Sequence, residues 1–311
     1  MTSPLRDLPG AVAGDGVDAP VAAHYGSFNL EQRTLAGGDG FVDLSHRDVL
    51  RITGPDRLTW LHSLTTQHLE SLAPGVPTQA LVLSPQGHVE HHFHGIDDGE
   101  TFTAHTEPGY GEALVQWLDR MRFMMRVEVT AADDLAVMWR PVGGGTFDLV
   151  PRDRLTAYAE AAGPACGTWA YEALRIERGE PRFGIDTDHR TIPNEVGWIG
   201  SAVHLDKGCY RGQETVARVH TLGRPPRRLT LLHLDGSENR LPTAGAEVRH
   251  ADKVVGFVGS SARHHELGPI GLALLKRNVP LDAQLDVEEM PATQEVVVDP
   301  EVGLHVRPKL R

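Results

Sequence analysis

The order of strands and helices between Asp48 and Thr130 is the feature that most constrains the fold. A strand-like run from Asp48 to Thr53 leads through a Gly-Pro-Asp turn into a segment with leucines near helical spacing. Two hairpin strands and a third strand follow, then an amphipathic helix from Glu112 to Met125 and a closing strand that ends at Thr130. This order predicts a split-βαβ, ferredoxin-like unit.

The sequence pattern changes after residue 225. Upstream, strands and helices partly recur between Ala136 and Arg178, and downstream short strands separated by turn clusters predict a small β-barrel or sandwich. The first residues are rich in Gly, Pro and Asp. We therefore expect a disordered tail over residues 1–21, a ferredoxin-like α+β domain over 22–135, a second α+β subdomain over 136–225 and a β-barrel over 226–311.

Composition excludes several classes of protein. The chain has 311 residues, of which 40% are hydrophobic, so it can bury a core. Its net charge of −12 disfavours non-specific binding to nucleic acid or anionic membranes, although arginines cluster at residues 224–228. Cys166 and Cys209 are too few for a disulfide framework, which indicates a reducing compartment. The sequence shows neither a membrane-length apolar run nor a signal core, so we expect a cytoplasmic protein.

One of the two cysteines lies in a glycine-rich stretch that runs from Asp206 to His220. Cys209 is flanked by Lys207 and Arg211, whose positive potential favours the thiolate. Glycines permit backbone conformations that a residue with a Cβ adopts only at a cost. The stretch therefore predicts a tight turn that presents the thiol and runs into a short helix from about Gln213. A buried, inert cysteine is the alternative that this pattern leaves open.

Histidines are densest on the predicted strand from His88 to His94. Strand alternation places His88, Glu90, His92 and His94 on one face, and Val89, His91 and Phe93 on the other. Imidazoles and a carboxylate could ligate a metal. Because same-face neighbours on one strand splay apart, we expect no metal site and a solvated strand face, with His91 pointing inward.

Glu177 stands near the end of a predicted helix that runs from Thr168 to Arg178. The helix dipole is unfavourable for an anion at this end. Spacing alone leaves two interpretations open: an exposed glutamate paired with Arg175 or Arg178, or a carboxylate with a function.

Three motifs resemble one family. The run KGCYRGQE, from Lys207 to Glu214, is similar to the K-G-C-Y-x-G-Q-E signature of the YgfZ family of folate-binding proteins, which are relatives of the glycine cleavage T-protein (aminomethyltransferase). The run LRIERGEPRFG, from Leu174 to Gly184, resembles a segment shared by both families. The run DLSHR from Asp43 resembles the opening of their first domain.

The resemblance implies a fold and a ligand. The implied fold is an α+β, three-subdomain fold, with ferredoxin-like units and a small C-terminal β-barrel around a central folate cavity. The implied cofactor is tetrahydrofolate or a derivative, with Glu177 on the pterin, because a carboxylate accepts paired hydrogen bonds from adjacent donors. The further cofactor-binding residues that the resemblance implies are Arg175, His91, Tyr210 and Gln213. The implied catalytic group is the Cys209 thiol with its two flanking cations, Lys207 and Arg211.

The run from Gly87 to His91 departs from the T-protein pattern. T-proteins carry Gly-x-x-Asp-Asp here, and the second aspartate, which is needed for aminomethyl transfer, falls on His91. An imidazole cannot stabilise an iminium-like intermediate as a carboxylate does. The resemblance therefore implies a folate-binding accessory protein for iron–sulfur cluster assembly or repair, and through it tRNA modification.

The implied partners are folate and iron–sulfur enzymes or assembly factors, without membrane or direct nucleic-acid binding. If the protein is an enzyme, the resemblance implies a folate-dependent one-carbon transferase. Two alternatives are a true aminomethyltransferase and a non-catalytic scaffold that binds a protein partner at the mouth of the cavity.

Overall fold

The N-terminal segment precedes the first sheet in the computed structural model, which describes residues 1–237 and 239–305. Two short 3-10 helices, Pro4–Asp7 and Gly16–Asp18, lie in this segment. The regular elements that follow or lie between them are β1 (Val12–Ala13), β2 (Ala22–His24), α1 (Phe28–Ala36) and β3 (Phe41–Asp43).

The prediction of a disordered tail over residues 1–21 is wrong. Leu5 is 1% exposed and packs in a hydrophobic cluster with Phe41. Asp18 forms an ion pair with Arg182, whose side chain is 5% exposed. The segment is ordered because its few apolar side chains and one of its acids meet matching partners far along the chain.

A five-stranded antiparallel sheet forms from the series that begins at Asp48. Its strand order is β5-β6-β7-β4-β8, which is one strand more than a split-βαβ unit has. The helices α2 and α3 pack on one face of the sheet through Trp60 and Leu114. The other face lines the central cavity of the molecule. The elements are β4 (Asp48–Thr53), α2 (Arg57–Leu64), β5 (Thr78–Leu83), β6 (Val89–Asp97), β7 (Thr101–Thr106), α3 (Gly111–Arg120) and β8 (Glu128–Ala131).

A second, four-stranded sheet has the order β10-β9-β3-β11. β3 lies before the domain boundary predicted at residue 135, whereas the other three strands begin at or after that residue. This sheet therefore contains strands from both sides of the predicted boundary. The helix that follows this sheet, α5, packs against both α1 and the C-terminal barrel. The elements are β9 (Leu135–Arg140), β10 (Thr146–Pro151), α4 (Leu155–Ala161), β11 (Ala165–Cys166) and α5 (Thr168–Glu177).

The C-terminal strands close into a six-stranded barrel with the order β12-β15-β14-β13-β16-β17. It encloses an apolar cluster in which Leu232, Val248 and Leu275 are fully buried. The prediction of a mixed α+β fold with a small C-terminal barrel is confirmed. The elements are α6 (Gln213–Leu222), β12 (Arg227–Leu234), β13 (Glu247–His250), β14 (Lys253–His264), β15 (Gly268–Lys276), β16 (Leu285–Val287) and β17 (Met290–Val296).

Within the described ranges, none of the helices combines the length and the apolar character that crossing a membrane requires.

Candidate functional site

A cavity of about 760 Å³ lies between the two sheets, the end of α5 and the segment that follows it. This volume is within the range of small-molecule sites. The first sheet contributes three imidazoles to the wall, and the second contributes Phe147. Trp198 comes from the segment before the loop of residues 206–212, which contains Cys209 and is called the cysteine loop below. Aromatic faces and paired charges therefore surround the space.

Three histidines form a row on the cavity face of β6 and β7. The rings of His94 and His105 are stacked, with centroids 5.2 Å apart and planes inclined by 10°. The His92 ring lies 4.9 Å from His94 and stacks on Trp198 at 4.7 Å. His92 Nε2 is 3.0 Å from Gln79 Oε1. Alternation correctly predicted that His92 and His94 share a face, but this face lines a cavity rather than open solvent.

The three imidazoles are neutral at pH 7. Burial lowers the pKa of His92 to about 4. Burial, and secondarily the charges of neighbouring groups such as Arg47, holds the pKa of His94 and of His105 well below the ordinary value of 6.5. The row therefore offers hydrogen-bond donors and acceptors rather than positive charge.

Arg182 links the cavity wall to the N-terminal segment. Its Nε lies 2.6 Å from Glu107 Oε2, and its Nη2 lies 2.6 Å from Asp18 Oδ1. Arg47 binds the other oxygen of Glu107, with Nη2 and Oε1 separated by 2.8 Å. Burial alone would raise the pKa of Asp18, but hydrogen bonds from Arg182 and His46 hold that pKa well below its ordinary value. This network of ion pairs fixes three distant segments around the cavity.

Arg175 lines the cavity, but most of its N–H donors are bound by protein groups. It donates to both oxygens of Glu172, to Asp186 Oδ2 at 2.9 Å and to the carbonyl of Glu180. A guanidinium has five N–H donors, so little of its capacity remains for a ligand. In this geometry Arg175 holds the turn after α5 against the helix.

The two glutamates around the end of α5 have different surroundings. Glu177, the last residue of α5, lies outside the cavity lining, and its Oε2 is 3.3 Å from His264 Nε2 in the barrel. Glu180 lines the cavity, where Arg178 donates to both of its oxygens. The structure therefore brings Glu180, which the sequence reasoning missed, to the place where Glu177 was expected.

His91 lies on the face of the first sheet that is turned away from the cavity. It is 9% exposed, its ring centroid is 6.4 Å from that of Trp117 on α3, and burial lowers its pKa to about 4. The lining residues of β6 begin with the next residue, His92. The structure thus places His91, the residue compared with the T-protein aspartate, outside the cavity lining.

Lys207 anchors the cysteine loop through its ammonium group. Its ammonium donates to the carbonyls of His62 and Thr65 at the C-terminal end of α2. Burial lowers the pKa of Lys207 to about 8. Its Nζ also lies 5.2 Å from the centroid of the Tyr210 ring. Cations at the end of a helix interact favourably with its exposed carbonyls, so this contact stabilises the loop.

The other predicted residues of the loop are dispersed. Cys209 is exposed and lies outside the cavity lining. Tyr210 is 8% exposed within a hydrophobic cluster, where burial raises its pKa to about 12. Arg211 pairs with Glu90, with Nη1 and Oε2 separated by 3.0 Å. Gln213 begins α6 and does not line the cavity. The structure thus separates the thiol from the cavity.

Two glycines allow the cysteine loop to pack on the turn between β5 and β6. Gly212 has a φ of 80°, and a Cβ on it would lie 2.5 Å from the Ser84 carbonyl oxygen. A Cβ on Gly87, at the other side of this contact, would lie 2.8 Å from the Thr215 Cβ. The contact fixes the loop from one side, as the ammonium of Lys207 does from the other.

A group of possible metal ligands lies near the end of α2, where one ligand atom from each of His62, His68 and Glu70 falls within 4.8 Å of the others. The backbone N–H groups of Leu69 and Glu70 donate to His62 Nδ1 at 3.2 and 3.5 Å. The neutral ring of His62 therefore carries its proton on Nε2. Because backbone donors occupy the lone pair of Nδ1 and Nε2 carries the proton, neither nitrogen of His62 is free to ligate, so this group does not fit a metal ion.

Comparison with known proteins gives several relatives, although no protein-family model matches the chain. A putative chloroplastic transferase of Arabidopsis thaliana is 24% identical over 320 residues, covering 86% of this chain and 71% of that protein. An aminomethyltransferase of Nostoc sp. is 24% identical over 337 residues, covering 89% of this chain and 88% of that protein. An aminomethyltransferase of Streptomyces coelicolor is 25% identical over 314 residues, covering 83% of each protein.

A crystal structure shares the fold. The glycine cleavage system aminomethyltransferase T from Bartonella henselae matches with a TM-score of 0.79 at 17% identity, covering 96% of both chains. Its likeness extends over both sheets and the barrel because almost the whole of each chain is matched. The sequence relatives and the shared fold together indicate the glycine cleavage T-protein, or aminomethyltransferase, superfamily.

Proposed function

We propose that this protein binds tetrahydrofolate, or a close derivative, in the central cavity. The observation that carries the proposal is the cavity of about 760 Å³ with aromatic walls, in a fold shared with an aminomethyltransferase. Trp198 and Phe147 offer apolar ring faces, and the neutral imidazoles offer polar edges. These residue types suit a planar heteroaromatic ligand with several polar atoms.

A carboxylate for the pterin ring is available at Glu180. Its side chain is half exposed, its partner Arg178 is one-third exposed, and both line the cavity. An exposed ion pair of this kind contributes little to stability, so exchanging one partner for a ligand has a small cost. Pterin contact by Glu177 stays a prediction from the resemblance, and its position beside His264 requires a rearrangement before it reaches the cavity.

Affinity measurements on two glutamine variants decide between the two glutamates. We expect Glu180→Gln to weaken tetrahydrofolate binding by about tenfold, because a charged hydrogen-bond acceptor is replaced by a neutral amide. Glu177→Gln is the matched change on the same helix end, and it is expected to bind with wild-type affinity. Isothermal titration calorimetry of each purified variant measures both. The reverse ranking would restore Glu177 as the anchor, and absence of any binding heat for the wild type would reject folate as the ligand.

We further propose that Cys209 is the thiol of an accessory factor for iron–sulfur cluster assembly or repair, acting on protein clients in a reducing cytoplasm. The support is the likeness of the run around Cys209 to the YgfZ signature, together with the exposure of this residue. Because Cys209 is exposed, it is accessible to another protein. The chain has two cysteines, one of them buried, so it does not offer the four cysteines of an ordinary cluster site.

Complementation tests the role of this thiol. In a strain that lacks the protein, Cys209→Ser is expected to leave the activity of iron–sulfur enzymes near the level of the deletion. Cys166→Ser is the control for loss of a thiol as such, with protein levels checked because Cys166 is buried. Full recovery of enzyme activity by Cys209→Ser would reject the essential thiol.

The names of several relatives favour a second candidate, folate-dependent aminomethyl transfer. The geometry gives it less support. His91, the residue compared with the T-protein aspartate, lies outside the cavity lining, and burial keeps the imidazole of the adjacent lining residue, His92, uncharged. Of the two lining carboxylates, Glu107 is held by the buried Arg47 and Arg182, and Glu180 is the one assigned above to the pterin ring. Formation of methylene-tetrahydrofolate from an aminomethyl-loaded carrier protein would establish this activity and displace the accessory role.

A further inference from the structure

The stacked rings of His94 and His105 occupy the middle of the cavity wall. They face each other directly because β6 and β7 pair these two residues in register. Phe147 of the second sheet packs against both rings, with centroid distances of 4.9 Å to His94 and 4.6 Å to His105. Stacking and the phenyl ring therefore fix the ring faces, and the edges carry the remaining chemistry.

His105 has unused hydrogen-bonding capacity. It is 3% exposed, and within the part of the chain that the structure describes neither its Nδ1 nor its Nε2 has a hydrogen-bond partner. Leaving a buried polar group unpaired costs about 1–3 kcal/mol, and folded proteins satisfy most such groups. A residue that bears this cost beside a cavity is a candidate for contact with what the cavity holds.

The charged groups of the wall are, in contrast, already engaged. Each of the four lining arginines has a carboxylate partner within the described residues, so none presents an unpaired charge to the cavity. The pairs are Arg47 with Glu107, Arg175 with Glu172 and Asp186, Arg178 with Glu180, and Arg182 with Glu107 and Asp18.

We propose that a ring nitrogen of His105, held in place by His94 and Phe147, hydrogen-bonds the polar edge of the planar heteroaromatic ring of the cavity ligand. A neutral imidazole offers one donor and one acceptor, which suits a ring edge that carries both kinds of group. The proposal rests on the proposed function, which supplies the pterin ring. It makes His105 a ligand-positioning and specificity-determining residue.

Binding measurements on the full chain test this role. Tetrahydrofolate and tetrahydropterin, which lacks the aminobenzoylglutamate tail, are titrated into wild type, His105→Phe and His105→Gln. Phenylalanine keeps the ring stack and removes both nitrogens, so it is expected to weaken both ligands by about tenfold or more. Glutamine restores a donor and an acceptor and is expected to recover part of the affinity. His233→Phe on the barrel, where His233 pairs with Glu295, is expected to bind as wild type.

A spectroscopic measurement separates ligand contact from a merely structural role. In protein labelled with ¹⁵N in its histidine rings, tetrahydropterin is expected to shift the His105 ring-nitrogen resonances, which are assigned by their loss in His105→Gln. Thermal unfolding shows whether His105→Phe is folded. If this variant is unfolded, the affinity of His105→Gln and the resonance shift in the wild type test the ligand contact.

The outcomes distinguish this inference from the proposed function. If the wild type binds tetrahydrofolate but His105→Phe binds it with equal affinity, or the His105 resonances do not shift, the role of His105 is overturned. The proposal of folate binding is then unaffected. Wild type that binds neither ligand overturns both.

Discussion

Replacing Arg182 by leucine is expected to lower the free energy of unfolding by roughly 3–5 kcal/mol. The guanidinium is 5% exposed and pairs with Glu107 and Asp18, which come from two distant segments. Its removal leaves the buried Glu107 and the half-buried Asp18 without their main counter-charge, although Arg47 still contacts Glu107 and His46 still contacts Asp18. Chemical denaturation of the purified variant measures the change.

The matched control is Arg51→Leu, which removes a paired arginine from the surface. Arg51 and Asp134 are 32% and 66% exposed, with Nη2 and Oδ2 separated by 2.6 Å. Solvent screens this pair, so its loss is expected to cost below about 1 kcal/mol. Equal losses for the two variants would contradict the role of Arg182 as a buried link.

The pH dependence of this difference has a defined sign. The folded-state pKa of Asp18 lies below its unfolded value, which is near 4. The stability that Asp18 contributes is therefore present above about pH 4 and is lost as the pH falls towards the folded-state pKa. The gap in unfolding free energy between wild type and Arg182→Leu is expected to shrink between pH 7 and about pH 3. A gap that widens on acidification would show that Asp18 is not held ionised by Arg182.

Replacing Gly212 by alanine is expected to cost about 3 kcal/mol and to alter the exposure of Cys209. The left-handed backbone at Gly212 accounts for about 1–2 kcal/mol, and the contact of the added Cβ with the Ser84 carbonyl accounts for a further 1–3 kcal/mol. Unfolding measurements and the rate of thiol alkylation report the two effects. Because Cys166 is buried, the fast-reacting thiol of the native protein is expected to be Cys209.

Gly75→Ala separates the two causes. Gly75 has a φ of 81°, close to that of Gly212, but a Cβ there would meet nothing within 4 Å. Its replacement is expected to cost only the 1–2 kcal/mol of the left-handed backbone and to leave the alkylation rate unchanged. If the two variants behave alike, the close contact between the cysteine loop and the β5–β6 turn does not position the thiol.

Much of the fold could be predicted because it depends on local periodicity. The helix after Gly54 and the short strands of the barrel follow from hydrophobic spacing and turn residues. The N-terminal segment could not be predicted in this way. Its order depends on Leu5 and Asp18 meeting partners that lie far away in sequence, and composition carries no information on such contacts.

The cavity wall likewise combines features that the local sequence predicts with features that depend on distant contacts. Alternation along β6 places His92 and His94 together, as the sequence indicated. The hairpin register follows from the turn between β6 and β7, and this register places His105 opposite His94. His105 could therefore have been predicted to lie on the same face as these two histidines. That this face meets Phe147 and encloses a cavity depends on the packing of the second sheet, which a single strand pattern does not specify.

The sequence by itself determined the class of fold, the barrel, the shared face of two histidines and the glycine-rich loop that carries Cys209. These features depend on interactions within a few residues or on one hairpin. Only the tertiary structure decided that Glu180 rather than Glu177 lines the cavity, that Lys207 binds the end of α2, and that the thiol lies outside the cavity. The physical reason is that the direction of a side chain at a helix end or in a loop is set by the distant segment against which it packs.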